Sequence, residues 1–228
     1  MHNRCADLEK LLIDDQPIDA QFFGTGKWLT DFITPDAPDV KLLAQDFANG
    51  DVTEKLAACH RWVASKIRYK PFIFGRLTID GYTSSIPDLW AEPSLTMAVG
   101  VGNCATKSFL LTSIIRNFLP PEAVSCVLGN LDQENLVSGH SWVEIDMGDR
   151  YIMESTRADI QPLVLASCID RYESVIYFND KGVSVVPGRT ALRPFTAVYA
   201  DWLREYLDMA YIASNKRRDA SFNNEYNP

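Results

Sequence analysis

The spacing of apolar residues changes partway along the chain. In the first half, apolar positions recur every three or four residues, which is the period of an α-helix that buries one face. In the second half they tend to alternate with polar positions, which is typical of a strand with one buried face. Helices followed by an antiparallel sheet predict an α+β domain.

The helical pattern is found in six segments. The clearest follows two glycines: Leu111, Ile115 and Phe118 share one face, and Pro120 and Pro121 end the segment. The six predicted helices cover residues 5–14, 39–49, 52–67, 93–98, 104–118 and 196–213.

The alternating pattern predicts five strands. The last two are joined across residues 179–182, whose Asn, Asp and Gly favour a hairpin. The predicted strands cover residues 124–129, 140–146, 150–156, 173–178 and 183–187.

We expect the 228 residues to form a single domain, because this length suffices for one sizeable core. The expected parts are a core over residues 55–157, a helical extension over 1–50, strands and a helix over 158–213, and a polar tail over 214–228.

The composition of the chain argues against nucleic-acid binding and against a membrane-spanning segment. The formal net charge of −8 argues against nucleic-acid binding, which needs clustered Lys and Arg. The only dense basic run, residues 216–218, lies in the polar tail and fits a frayed terminus. No stretch approaches about 18 apolar residues, and the first residues lack the apolar run of a secretory signal. We therefore expect a cytoplasmic protein that does not enter a membrane.

The five cysteines are scattered singly along the chain. An odd number without a C-x-x-C pair fits a reducing compartment better than a disulfide framework, and it disfavours a structural zinc site. Cys5, Cys59, Cys126 and Cys168 are interpreted as small buried hydrophobic residues. Cys104 is the exception.

Cys104 lies in GVGNCATKSFLL, residues 100–111. Asn103 is a good N-cap, so we expect Cys104 in the first helical turn. There the helix dipole and the free N–H groups favour the nucleophilic thiolate. Gly100 and Gly102 allow a substrate backbone to approach closely. On this segment alone, a buried structural cysteine at a helix start is an equal alternative.

His140 is the candidate base. It opens the predicted strand 140–146 within GHSWVEIDMGDRYIMEST, residues 139–156. A lone histidine in a strand is more often structural, but the other two histidines are weaker candidates. His2 is near the terminus, and His60 lies in mid-helix among apolar residues, where we expect a core role with satisfied hydrogen bonds.

Glu154 is the candidate for the group that orients His140. It ends an apolar run in a strand that should be partly buried, and a buried carboxylate is costly unless it is paired. An imidazolium is a natural partner, and nucleophilic catalysis requires a third group that orients the base. The alternative is an edge-strand glutamate that faces solvent.

The turn between these two strands decides whether His140 and Glu154 can meet. A two-residue turn, 148–149, is favoured by local turn chemistry and would place them on opposite faces of the sheet. A three-residue loop, 147–149, would place Trp142 opposite Glu154 and His140 diagonal to it on the same face. We expect the longer loop, or a bulge with the same effect, because the triad requires it.

In this order, the motifs resemble those of the transglutaminase-like superfamily. A helix that ends in V-x-x-x-I-x-Y is matched by Val63, Ile67 and Tyr69. A short helix and a glycine-flanked cysteine follow in EPSLTMAVGVGNC. The pattern H-A-W-V-E is present as HSWVE at 140–144, and a strand ending in D-P-T is present as EST at 154–156.

The resemblance, over residues 55–157, implies a papain-like arrangement in which a cysteine at a helix N-terminus faces a histidine and an acid on a sheet. It assigns these roles to Cys104, His140 and Glu154, of which the last is one methylene longer than the family's Asp. Trp90 is the nearest match to the family's oxyanion-stabilising tryptophan, and the backbone N–H of Cys104 is a further oxyanion donor. No cofactor is implied, and the chain lacks the D-x-D-x-D-G loop that would predict calcium dependence.

The implied reaction is acyl transfer through a thioester on Cys104, with a peptide, a protein or a small amide as substrate. Water would complete hydrolysis, which we expect, and an amine would complete transamidation. Two alternatives stay open: a dedicated transamidase that turns over only with an amine acceptor, and a catalytically silent fold that serves as a binding module. A zinc site built on Cys104 and His140 lacks further ligands at suitable spacing.

Overall fold

Four α-helices lie in the part of the chain that the structure describes. This structure is a computed structural model, and it describes residues 28–70, 75–79, 82–86, 90–133 and 136–189. The helices are α1 (Pro38–Gln45), α2 (Val52–Lys66), α3 (Pro93–Val99) and α4 (Cys104–Ile115). They confirm four of the six predicted helices, and the predicted helices 5–14 and 196–213 lie outside the described residues. Within the described ranges, no helix has both the length and the apolar character needed to cross a membrane.

Short local signals fix the helix ends. α1 and α3 each begin with a proline, whose missing N–H costs nothing in the first turn. α2 is capped by Asp51, whose carboxylate accepts the N–H of Glu54 at 2.9 Å, while the Glu54 carboxylate accepts the N–H of Asp51 at 3.0 Å. α4 is capped by Asn103, as predicted, whose side-chain oxygen accepts the N–H of Thr106 at 2.9 Å.

Two short strand pairs precede the main sheet. β1 (Arg68–Tyr69) pairs in parallel with β4 (Val101–Gly102), and β2 (Gly75–Ile79) pairs antiparallel with β3 (Tyr82–Ile86). The main sheet contains β5 (Val124–Gln133), β6 (Leu136–Asp146), β7 (Arg150–Met153), β8 (Val164–Leu165), β9 (Tyr172–Phe178) and β10 (Val183–Val185). Its strand order is β10-β9-β5-β6-β7-β8, and every neighbouring pair is antiparallel.

The five predicted strands are all present, with shifted ends. β5 and β6 are longer than predicted because their pairing continues from Val124 opposite Ile145 out to Gln133 opposite Leu136. β7 is shorter and ends at Met153. The hairpin predicted between the last two strands is confirmed by the antiparallel pairing of β9 with β10.

Helix α4 is buried along its whole length and packs on the sheet. With α2 it forms an apolar cluster that includes Val143 and Ile145 of β6. A second cluster contains Trp142 and Tyr172, and it lies on the other face of the sheet because successive side chains of a strand point to opposite faces. The predicted α+β class is therefore confirmed, with Cys104 at the start of a helix that packs on an antiparallel sheet.

β1 and β4 bring the end of α2 beside the segment that enters α4. The N–H of Arg68 donates to the carbonyl of Gly100 at 2.9 Å. Gly102 leaves no room for a side chain, because a Cβ there would lie 2.7 Å from a threonine hydroxyl of the first turn of α4 and 3.0 Å from Lys107 Cγ. This close packing fixes the backbone immediately before Cys104.

Candidate active site

Cys104 is the first residue of α4 and lies in the N-terminal turn, as predicted. It is buried but not fully enclosed, with 7% of its surface exposed. The first N–H groups of a helix have no acceptor within the helix, and they lie at the positive end of its dipole. This end of α4 can therefore bind negative charge that develops beside the sulfur.

His140 lies between Cys104 and Glu154. Its Nε2 donates to Glu154 Oε2 at 2.8 Å, and it shares a hydrogen bond with the Cys104 side chain. Since the carboxylate occupies Nε2, Nδ1 is the ring nitrogen left for the sulfur. The structure thus brings together the three residues that the sequence singled out. The expectation that His140 opens its strand is wrong, because β6 already begins at Leu136.

The loop between β6 and β7 has three residues, as the triad requires. Asp146 pairs with Arg150, which leaves residues 147–149 outside the ladder. Gly148 in the middle of the loop has a φ of +93°, a conformation that glycine adopts without strain. Continued by one residue, this register places Glu154 opposite a tryptophan and diagonal to the imidazole, on the same face of the sheet.

Glu154 is held as an anion by a set of donors. Besides the imidazole, Oε2 accepts the hydroxyl of Tyr172 at 3.0 Å. Oε1 accepts the hydroxyl of Thr156 at 2.6 Å and its N–H at 3.1 Å. Burial raises the pKa of Glu154, but the charge of His140 and these hydrogen bonds outweigh burial and lower the pKa to about 2. The alternative of a solvent-facing glutamate is wrong, since Glu154 is 2% exposed.

His140 carries its proton at neutral pH. Burial lowers the pKa of His140, but the negative charge of Glu154 and the hydrogen bonds with Cys104 and Glu154 outweigh burial and raise the pKa to about 10. An imidazolium beside the sulfur is the form that can deliver a proton to a leaving group.

Two aromatic rings hold the imidazole in place. Trp142 stacks on His140 with ring centroids 6.2 Å apart and an interplanar angle of 27°, and Tyr172 lies 6.3 Å from it. Trp142 is itself anchored by Glu144, whose Oε1 accepts the indole N–H at 3.1 Å. The rings therefore restrict rotation of the imidazole away from the sulfur.

Gly129 of β5 leaves room for the Trp142 ring because it has no side chain. It pairs with His140, and a Cβ on it would lie 2.4 Å from the Trp142 ring and 2.2 Å from the carbonyl oxygen of Glu173. The pairing of β5 with β9 shifts between Leu128 and Gly129. A glycine at this irregularity lets the β9 backbone and the indole approach the strand that carries the base.

His60 supports Glu154 from α2. Its Nε2 donates to the backbone carbonyl of Glu154 at 2.7 Å. Burial lowers the pKa of His60 to about 4, so this ring is neutral at neutral pH. Its Nδ1 has no hydrogen-bond partner among the described residues. The expected core position of His60 is confirmed, whereas the expectation of fully satisfied hydrogen bonds is wrong.

Sequence reasoning missed the donors around Glu154. Thr156 lies in the matched EST motif, where its closeness to the acid was the available signal. Tyr172 lies in a different strand and His60 in a helix far earlier in the chain, and no local pattern connects either to Glu154.

Trp90 lies in an aromatic cluster of the core. Its ring centroid is 5.1 Å from that of Phe109 in α4 and 5.9 Å from that of Phe32. Its role in oxyanion binding stays a prediction. Among the described residues, no group of three or more His, Cys, Asp or Glu side chains could hold a metal ion.

The arrangement implied by the resemblance is present: a cysteine at a helix N-terminus faces a histidine and an acid on an antiparallel sheet. No protein-family model matches the sequence, and no curated protein matches it either.

Three solved structures are similar to this chain at low identity. LapG from Legionella pneumophila is 15% identical over 70% of this chain and 87% of its own, with a TM-score of 0.48. Its EGTA-treated form is 13% identical over 82% of this chain and 95% of its own, with a TM-score of 0.47. A candidate cysteine protease from Cytophaga hutchinsonii is 17% identical over 74% of this chain and 56% of its own, with a TM-score of 0.41. Because these TM-scores lie below 0.5, the function proposed below rests on the geometry of the site.

Iodoacetamide at pH 6 is expected to modify Cys104 faster than the other described thiols, because Cys104 lies at a helix N-terminus beside a protonated imidazole. Burial raises the pKa of Cys59 and of Cys126 to about 12, and both side chains are fully buried. Cys168 is only partly buried and serves as the control for exposure. Peptide mapping by mass spectrometry measures the rates, and equal rates after correction for exposure would contradict an activated Cys104.

Proposed function

We propose that this protein is a cysteine-dependent acyl-transfer enzyme of the transglutaminase-like type, which hydrolyses amide or peptide bonds through a thioester. The observation that carries this proposal is the position of His140, hydrogen-bonded to a thiol on one side and to a buried carboxylate at 2.8 Å on the other. A nucleophile, a base and a group that orients the base are the three parts that covalent catalysis requires.

In the proposed reaction the Cys104 sulfur attacks the carbonyl carbon of the substrate. The oxygen becomes an oxyanion, which the N–H groups at the start of α4 can bind, beginning with that of Cys104. As the tetrahedral intermediate collapses, His140 gives its proton to the departing amine and a thioester remains. Water then attacks the thioester carbon and His140 takes a proton from it. The carboxylic acid leaves as the Cys104 sulfur departs as a thiolate beside the re-formed imidazolium.

Glu154 has an electrostatic part in this cycle. It keeps its negative charge throughout, stabilises the imidazolium and fixes the ring so that Nδ1 points to the sulfur. Its further donors, Tyr172 and Thr156, hold the carboxylate in place while the imidazole gains and loses its proton.

The substrate class follows from the reaction. It is a peptide, a protein or a small amide, and no nucleic acid or membrane is proposed as a partner. A reducing, cytoplasmic compartment belongs to the proposal, supported by the odd number of cysteines without a C-x-x-C pair.

The test is the mass of the protein after treatment with an amide- or ester-based covalent probe. The wild-type chain should gain the mass of one acyl group, at Cys104, and Cys104→Ala should gain none. Cys168→Ala is the matched control and should be acylated like the wild type. Acylation that persists in Cys104→Ala, or a wild-type chain that is never acylated, would refute the proposal. Decay of the acyl-enzyme in water, with and without an added amine, separates hydrolysis from transamidation.

A further inference from the structure

Lys107 is a fully buried lysine in α4, about one turn beyond Cys104. Lysine is rarely found in a protein interior unless its ammonium has partners. Its Nζ donates to the backbone carbonyl of Ile67 at 2.5 Å and to that of Ala64 at 3.1 Å. Both carbonyls belong to the C-terminal end of α2, so the positive charge lies at the negative end of that helix dipole.

The way the chain leaves α2 explains why Ala64 needs this donor. In a continued α-helix, the N–H of Arg68 would bond the carbonyl of Ala64. Here that N–H donates instead to the carbonyl of Gly100, in the pairing of β1 with β4. Lys107 Nζ therefore donates to the Ala64 carbonyl in place of the Arg68 N–H.

The Lys107 side chain also packs under the backbone that enters Cys104. A Cβ on Gly102 would lie 3.0 Å from Lys107 Cγ, so the lysine stem fills the space beneath this glycine. One side chain therefore contacts the end of α2 and the strand β4 while belonging to the first turns of α4. A shift of its ammonium would be transmitted to Gly102 and to the N–H of Cys104, two residues later.

We propose that Lys107 is a positioning residue for the nucleophile, an inference that rests on the function proposed above: its charged hydrogen bonds to Ala64 and Ile67 fix the backbone of Cys104 against His140. Lys107 does not touch the reacting atoms and acts through Gly102 and the first turn of α4. The role depends on its charge, because charge-assisted hydrogen bonds are about twice as strong as neutral ones.

The charge of Lys107 can be titrated separately from that of the site. Burial lowers the pKa of Lys107 to about 8, against the attraction of Glu154. His60 on α2 also interacts with this charge, and it is neutral at neutral pH. His140 keeps its proton up to a pH of about 10. Acylation and alkylation both use the Cys104 sulfur, so a change near pH 8 in the ratio of their rates would report Lys107.

The test measures two rates in the full chain between pH 5.5 and 9.5. One is the rate at which p-nitrophenyl acetate acylates Cys104, and the other is the rate at which iodoacetamide alkylates it. In the wild type, the ratio of acylation to alkylation should fall as the pH rises through about 8. Lys107→Met should be acylated about tenfold to a hundredfold more slowly at pH 6.5, without a step near pH 8. Lys107→Arg should recover part of the rate and show no step up to pH 9.5, because a guanidinium keeps its charge throughout this range.

Ser113→Ala is the matched control. Ser113 lies later in α4, accepts the N–H of Thr34 at 2.9 Å and donates to the carbonyl of Phe109 at 2.8 Å. Its substitution removes two buried hydrogen bonds from the same helix without changing any charge near Cys104. This variant should unfold at a lower temperature and keep the wild-type acylation profile.

A folded Lys107→Met protein with the wild-type acylation rate and pH profile would overturn the inference alone. If that variant does not fold, the test rests on the pH profile of the wild type. A ratio of acylation to alkylation that stays constant across pH 8 in the wild type would also overturn the inference. A wild-type chain that is not acylated at any pH would instead overturn the proposed function, and this inference with it.

Discussion

His140→Ala is expected to slow the acylation of Cys104 by about 10²- to 10⁴-fold, which is the range that general acid–base catalysis contributes. The variant loses the imidazolium that lies between sulfur and carboxylate, and no other described histidine can replace it. His60 is bonded to a backbone carbonyl of Glu154 and is neutral at neutral pH. The rate is measured with the same ester probe, under conditions in which circular dichroism shows the variant folded.

Val137→Ala provides the control on the same strand. Val137 is 43% exposed, and its truncation should leave the acylation rate unchanged. A rate for His140→Ala within about threefold of the wild type would show that His140 is not the acid–base group, because a loss that small lies below the contribution expected of such a group.

Glu154→Gln is expected to lower both the acylation rate and the free energy of unfolding. The neutral amide cannot stabilise the imidazolium. Its NH₂ group would also face hydrogen-bond donors that now donate to the carboxylate. Breaking a buried ion pair by removing one charge costs about 3–5 kcal/mol of stability. The loss of stability should depend on pH, because both partners of the pair titrate differently in the folded and the unfolded chain.

The direction of this dependence follows from the two pKa shifts. The pKa of Glu154 is lowered from about 4.5 to about 2, so its contribution is full above about pH 4.5 and is lost as the pH falls through about 2. The pKa of His140 is raised from about 6.5 to about 10, so its contribution is full below about pH 6.5 and is lost as the pH rises through about 10. The difference between Glu154→Gln and the wild type should therefore be largest between about pH 4.5 and 6.5.

Urea unfolding at pH 3, 5.5 and 9.5 measures this difference. Glu173→Gln is the control, because its carboxylate lies 3.7 Å from Arg189 in a half-exposed pair that should contribute little. A destabilisation of Glu154→Gln that is equal at all three pH values would show that the pair does not carry the charges assigned to it.

Features with local causes could be predicted from the sequence. Asn103 caps α4 through its own side chain, and the position of Cys104 follows from that cap. The first turn of α2 is a local feature too, since Asp51 and Glu54 cap each other three residues apart. The alternation of apolar and polar residues in β6 and β7 is also a local pattern, and it placed His140 and Glu154 in two neighbouring strands.

Features with distant causes could not be predicted. Lys107 finds its carbonyl partners about forty residues earlier, and Tyr172 reaches Glu154 from a strand on the other side of the sheet's centre. A lysine within an apolar helix signals that some partner exists, but not which one. The extra length of β5 and β6 also has a distant cause, because each strand continues only where the other is there to pair with it.

The three-residue loop between β6 and β7 has a consequence for insertions and deletions. Removing any one of residues 147–149 would turn Glu154 towards α4 and away from the imidazole, although no residue of the site had changed. Inserting two residues into the native loop would instead keep Glu154 on the same face as the imidazole. Variation in length at this hairpin is therefore compatible with the site only in steps of two, while its sequence is restricted mainly at Gly148.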